Sequence, residues 1–187
     1  MKKKSLSSLF DEYSFPEDFF NMELKEVTKI HCEFLGLKFD DFIFKKILDR
    51  VDLICDIFNN KDIELVIKEL DLSIEYSCDF PYLEFLTIFS QLILEERKII
   101  LYLKSLQEIY LFLYKFLCID IDFEVFCLIA KYHEICHYID LTLFDSQFNF
   151  FDKYREITVC LFIKRQFHFT FHPWMIELSY LYGKYYN

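Results

Sequence analysis

Apolar positions recur at helical spacing over residues 21–35, NMELKEVTKIHCEFL, and the pattern stops at Gly36, a residue suited to the left-handed turn that ends a helix. A second helix is predicted over 40–58, DDFIFKKILDRVDLICDIF, with its apolar residues on one face and its end at Asn59-Asn60. A short amphipathic helix, KDIELVIKELDL (61–72), leads into SIEYSCDF (73–80), which reads as a strand. The character then changes. YLEFLTIFSQLIL (82–94) and KIILYLK (98–104) are apolar and β-branched, and the polar turn EER divides them, the mark of a hairpin. About three strands result. The run QEIYLFLYKFL (107–117) fits a helix and a buried strand equally. A long helix is predicted from Asp122, then a loop, LFDSQFNFFD (143–152), and a helix over 153–167. A last helix starts at Pro173, whose fixed φ suits a first helical turn. Residues 1–20 are polar and aromatic around Pro16 and are expected to form an N-terminal arm or irregular lead-in to one domain over 21–187.

This order of elements predicts an α+β fold, mostly helical, with a small three-stranded sheet. The 187 residues suffice for one domain with a real core, and 54% apolar content argues against disorder. Only Gly36 and Gly183 are glycine, so Gly-rich phosphate loops and dinucleotide fingerprints are excluded. A net charge of −10 argues against nucleic acid as a direct partner, because phosphate binding needs a basic surface. The basic start MKKK resembles a signal peptide, but Asp11, Glu12, Glu17 and Asp18 break the apolar core that would have to follow. Apolar runs such as IYLFLYKFLCI are too short and interrupted to span a bilayer. A cytoplasmic protein with no membrane partner is expected. Its seven scattered cysteines, an odd number without a C-x-x-C pair, are expected to be reduced.

The predicted long helix carries His133-Glu134-Ile135-Cys136-His137, an H-E-x-x-H. Residues four apart share a helical face, so His133 and His137 can reach one metal ion. Glu134 lies beside that face, where it meets a water that the metal activates and not the metal itself, the position of a general base. Phe126, Ile129 and Ala130 fall on the same face as the histidines and turn it inward. A third ligand is needed to leave one position open. Glu156 leads an inward stripe of Val159, Cys160, Ile163 and Phe167; Asp152 lies one turn earlier, and Asp140 and Asp145 are further candidates. Cys136 reads as a packing residue. His168 and His172 flank a loop before Pro173, placed for oxyanion stabilisation, capping or a surface role, and His31 has no visible partner.

Taken in order, DIELVIKELDLSIEYS, QLILEERKIILYLK, IAKYHEICHYID and REITVCLFIKRQF resemble the ImmA/IrrE family of zinc metallopeptidases over about residues 60–167. The resemblance implies a zincin-like fold with Zn²⁺ on His133, His137 and Glu156, and Glu134 as catalytic base. It also implies a protein substrate, since members often cleave a transcriptional repressor with a helix-turn-helix. Tyr132, Cys136 and Ile157-Thr158 depart from the family's small residues and Ala-Asn, and they motivate an alternative, a non-catalytic interaction protein on the same scaffold. A zinc hydrolase acting on something other than protein is the third expectation.

Overall fold

A computed structural model of the chain describes residues 5–59, 61–83, 86–144 and 151–186. Where the sequence suggests an irregular lead-in, residues 6–21 hold two short helices, α1 (Leu6–Glu12) and α2 (Glu17–Asn21). Leu9, Phe10, Phe15 and Phe19 bury their side chains. Phe10 meets the ring of Tyr182 edge-on at 5.0 Å and Phe19 meets Trp174 at 6.2 Å, so this segment is seated on the C-terminal helix.

The next helices follow the predicted pattern. In α3 (Leu24–Phe34) the chain turns at Gly36, whose φ of 74° lets the Leu37 N–H donate back to the Cys32 carbonyl at 2.7 Å. Helix α4 (Asp41–Phe58) starts where the Asp40 carboxylate accepts the Ile43 N–H at 2.8 Å and ends on the left-handed Asn59. Helix α5 (Ile63–Glu69) is capped in the same way by Asp62.

Among the described residues five short strands come next: β1 (Ser73–Ser77), β2 (Tyr82–Leu83), β3 (Leu86–Thr87), β4 (Ser90–Ile93) and β5 (Lys98–Tyr102). The predicted long strand over 82–94 is divided, with β2 and β3 forming a separate two-stranded hairpin and β4 alone joining the main sheet. That sheet is mixed, in the order β1-β5-β4, with β5 parallel to β1 and antiparallel to β4. The expected hairpin around the EER turn is the β4–β5 pair. Because side chains alternate along a strand, Ser90 and Leu92 share a face with their cross-strand partners Leu101 and Ile99. Ile99 and Leu101 are fully buried, so this face points into the core and Ser90 goes with it.

The ambiguous run resolves as helix α6 (Leu103–Leu117), with Leu106, Ile109, Leu113 and Leu117 buried on one side. Helix α7 (Phe123–Leu143) carries the motif and packs against β4, β5, α6 and α8. A 3-10 turn (Phe151–Tyr154) leads into α8 (Arg155–Gln166), and α9 (Trp174–Tyr186) closes the chain against α6. The α6–α9 contact depends on Gly183, since a Cβ there would stand 2.2 Å from the Phe112 ring. The fold is α+β and mostly helical, with a small three-stranded sheet against the motif helix. No helix among the described residues is long and apolar enough to cross a membrane.

Candidate metal centre

One turn of α7 separates His133 from His137, and their Nε2 atoms come within 2.9 Å. The buried side chains of Ile135 and Ile139 anchor the opposite flank of the helix, while Phe126, Ile129 and Ala130 are buried on the side predicted to turn inward. Glu156 enters from the first turn of α8. Its Oε1 lies 3.2 Å from His137 Nε2 and its Oε2 lies 3.6 Å from His133 Nε2. These three residues form the only group of potential metal-binding side chains found among the described residues.

The spacing can be tested against a metal. Four-coordinate zinc with ligands at about 2.0–2.1 Å places neighbouring donor atoms about 3.3 Å apart. The two imidazole nitrogens at 2.9 Å, with one Glu156 oxygen 3.2 Å from His137 and the other 3.6 Å from His133, lie close to that value, and one ligand atom from each residue falls within 4.8 Å of the others. Two imidazoles and one carboxylate are also a donor set suited to zinc. The histidine side chains are 20% and 12% exposed, whereas that of Glu156 is 55% exposed and opens into a cleft.

Protonation favours the same reading. Burial, then the charge of His137, lowers the His133 pKa. Burial pulls His137 down as well, but the hydrogen bond and charge of Glu156 outweigh it and leave the ring raised. Burial alone would lift the Glu156 carboxyl; its hydrogen bond with His137 and the nearby His133 and His137 charges hold it at about 2. An ionised carboxylate beside imidazoles that can lose their protons is the state that accepts a cation.

Glu134 stands apart from the three. Its side chain is buried, and Oε1 accepts the Ser90 hydroxyl at 2.6 Å from edge strand β4. The Ser90 bond is the hydrogen bond the carboxylate makes among the described residues, and it goes to Oε1. The sheet thus fixes one oxygen of the carboxylate. Sequence reasoning missed Ser90, which lies 44 residues away and belongs to no recognisable motif.

The other candidates fall elsewhere. Asp140 is not a ligand: its carboxylate accepts Arg50 Nε at 2.7 Å and Arg155 Nε at 3.0 Å, tying α7 to α4 and to the start of α8 beside Glu156. Asp145 and the side chain of Asp152 lie outside the described residues. Cys136 is fully buried, and burial raises its thiol pKa well above the ordinary value, in keeping with a packing role. All seven cysteines are free thiols. His168 is exposed at a left-handed turn. His172 is buried and caps α9, its Nδ1 accepting the Trp174 N–H at 3.2 Å. His31, without a visible partner in the sequence, is buried and stacks on Trp174 with ring centroids 4.2 Å apart.

The cleft encloses about 620 Å³ and holds His133, Glu134, His137 and Glu156 on one wall. Phe89, Leu92, Ile109, Ile163 and Ile176 make most of it apolar, a size and lining typical of ligand sites. Comparison with protein-family models, with curated proteins and with solved structures gives no match.

Proposed function

We propose that this chain is a zinc-dependent endopeptidase with a zincin-like catalytic helix, as its resemblance to the ImmA/IrrE family implies. One observation carries the reading. His133, His137 and Glu156 converge at metal-ligand spacing while Glu134, one residue from the first ligand, has one carboxylate oxygen bound by the Ser90 hydroxyl. His133, His137 and Glu156 would hold the ion, which would supply Lewis-acid activation of water and polarise a carbonyl.

The remaining work falls to the chain's own residues. Glu134 takes a proton from the water that adds to the peptide carbonyl, and it passes that proton to the amine as the C–N bond breaks. Ser90 keeps the carboxylate aimed while it does so. Strand β4 is an edge of the sheet and borders the cleft, so an extended peptide can pair with it and lie across the wall that holds the histidines. The expected substrate is a protein, with a helix-turn-helix repressor as the first to be tried.

Glu134→Gln tests this. The amide keeps shape but cannot accept the proton, so zinc and fold should remain while hydrolysis falls by about 10²–10⁴. Mass spectrometry of a repressor digest, beside zinc analysis of both proteins, reads the result. Hydrolysis at the wild-type rate by the Glu134→Gln protein would overturn the assignment.

A further inference from the structure

The outer face of α6 has no part in the cleft or the core. Buried Leu106, Ile109, Leu113 and Leu117 seat the helix inward, and Phe112 and Phe116 meet the rings of Tyr180 and Tyr182 on α9. The exposed positions of the helix are Lys104, Gln107, Leu111, Tyr114 and Lys115, and Cys118 at its C-terminal cap is exposed as well. Residues 104, 107, 111, 114 and 118 are spaced alternately by three and four, so they form one stripe along the helix. Its middle is apolar. Leu111 and Tyr114, 66% and 61% exposed, stand one turn apart, and Cys118 follows one turn on. Single exposed apolar residues are ordinary on a protein surface, whereas a contiguous run of them marks an interaction face. Phe42, as exposed as Leu111, differs in having Lys46 over its ring at 5.3 Å.

The stripe is complementary to itself. When a second copy of α6 is laid antiparallel, about a point between Phe112 and Leu113, Leu111 faces the partner's Tyr114 and Gln107 faces the partner's Cys118. Lys104 then comes level with the loop that carries the partner's Asp120. Lys104 and Asp120 are exposed, and neither forms an ion pair among the described residues. Opposite charges therefore meet at both ends of the seam and apolar pairs fill its middle, each pair occurring twice by two-fold symmetry. A parallel pair would instead set Lys104 against Lys104 and Asp120 against Asp120.

We infer that this chain forms a two-fold homodimer through α6, its partner a second copy of itself with the helices antiparallel. The seam runs about 21 Å from Lys104 to Cys118. One helix pair of that length buries less than the roughly 800 Å² per partner of a standard interface, which predicts a reversible dimer with a Kd on the order of micromolar. No residue of the stripe lines the cleft, so the dimer leaves the cleft open and the inference depends on neither zinc nor hydrolysis.

Sedimentation equilibrium on the full chain reads the association. The wild-type mass should rise with concentration from 23.0 kDa toward twice that value. Leu111→Glu replaces the central apolar contacts with two like charges and should raise Kd by about a hundredfold. Lys104→Asp should weaken the dimer by about twofold to tenfold, and Asp120→Lys in the same chain should restore it. These positions are exposed, so the variants should keep the fold, which circular dichroism checks. A bismaleimide of short reach reads the direction on a Cys78→Ser background, where Cys118 is the exposed thiol that remains. Antiparallel helices hold the two Cys118 residues about 16 Å apart along the axis, so that protein should stay uncrosslinked, and adding Gln107→Cys should yield a covalent dimer. A dimer that survives Leu111→Glu, crosslinking through Cys118 alone, or no crosslinking with Gln107→Cys would overturn the inference. A chain that stays monomeric at every concentration would overturn it too, and would leave the face to a different protein.

Discussion

Replacing Asp140 with asparagine removes one charge from a buried three-way clamp and leaves its shape in place. Asp140 is 4% exposed at its side chain and Arg50 is 9% exposed, so neither can recover water without moving the helices. Arg50 also donates from a guanidinium NH2 to the Asp140 carbonyl at 3.5 Å and lies over the Phe144 ring at 3.7 Å, which restricts where its head can go. Arg155, 21% exposed, can turn outward, so the cost falls mainly on Arg50. Uncompensating one member of a buried pair costs about 3–5 kcal/mol. For a chain of this size each kcal/mol moves Tm by about 2–4 °C, which gives a fall of about 6–20 °C. Differential scanning calorimetry on D140N measures it. Combining Asp140→Leu with Arg50→Met removes both charges and should recover most of the loss, since an apolar pair of similar volume replaces a buried ion pair at little cost. A D140N protein that melts within a degree or two of wild type, or a double variant whose loss is the sum of the singles, would refute the clamp.

Other consequences are open to direct measurement. Ile135→Ala empties a fully buried site under the motif helix and should cost about 2–5 kcal/mol in urea denaturation. Gly183→Ala forces a methyl into the Phe112 and Phe116 rings and should destabilise by about 1–3 kcal/mol, seen as a lower thermal midpoint. Ser90→Ala frees the Glu134 carboxylate from the sheet; peptide hydrolysis should slow by roughly tenfold to a hundredfold, the worth of a hydrogen bond to a charged group, while zinc content is unchanged. Loss of zinc in that variant would show that the serine supports the metal group instead.

Much of the fold was legible because it is local. Helices α3, α4, α5, α7 and α8 repeat their apolar residues at helical spacing, and the caps at Gly36, Asp40 and Asp62 depend on the side chain or backbone of one residue. Helices α1 and α2 were not legible. They are 7 and 5 residues long, interrupted by acids and Pro16, and their apolar side chains find a core only against α9. Helix α6 was ambiguous because Leu111 and Tyr114, 66% and 61% exposed, fill its outward face and hide the period. The site divides in the same way. His133, Glu134 and His137 are read from one turn of helix, and Glu156 from the stripe it leads. Ser90 and the Arg50–Asp140–Arg155 clamp are brought in by tertiary packing, and no spacing along the chain encodes them.

Zinc stoichiometry tests the central claim most directly. Protein stripped with chelator, dialysed against limiting zinc and analysed by mass spectrometry of the metal should hold one ion per chain. His133→Ala and His137→Ala should each abolish that binding, and Glu156→Gln should weaken it, because each removes or blunts one of three protein ligands. No zinc in the wild-type chain, or one ion retained by the His133→Ala/His137→Ala double variant, would contradict the account.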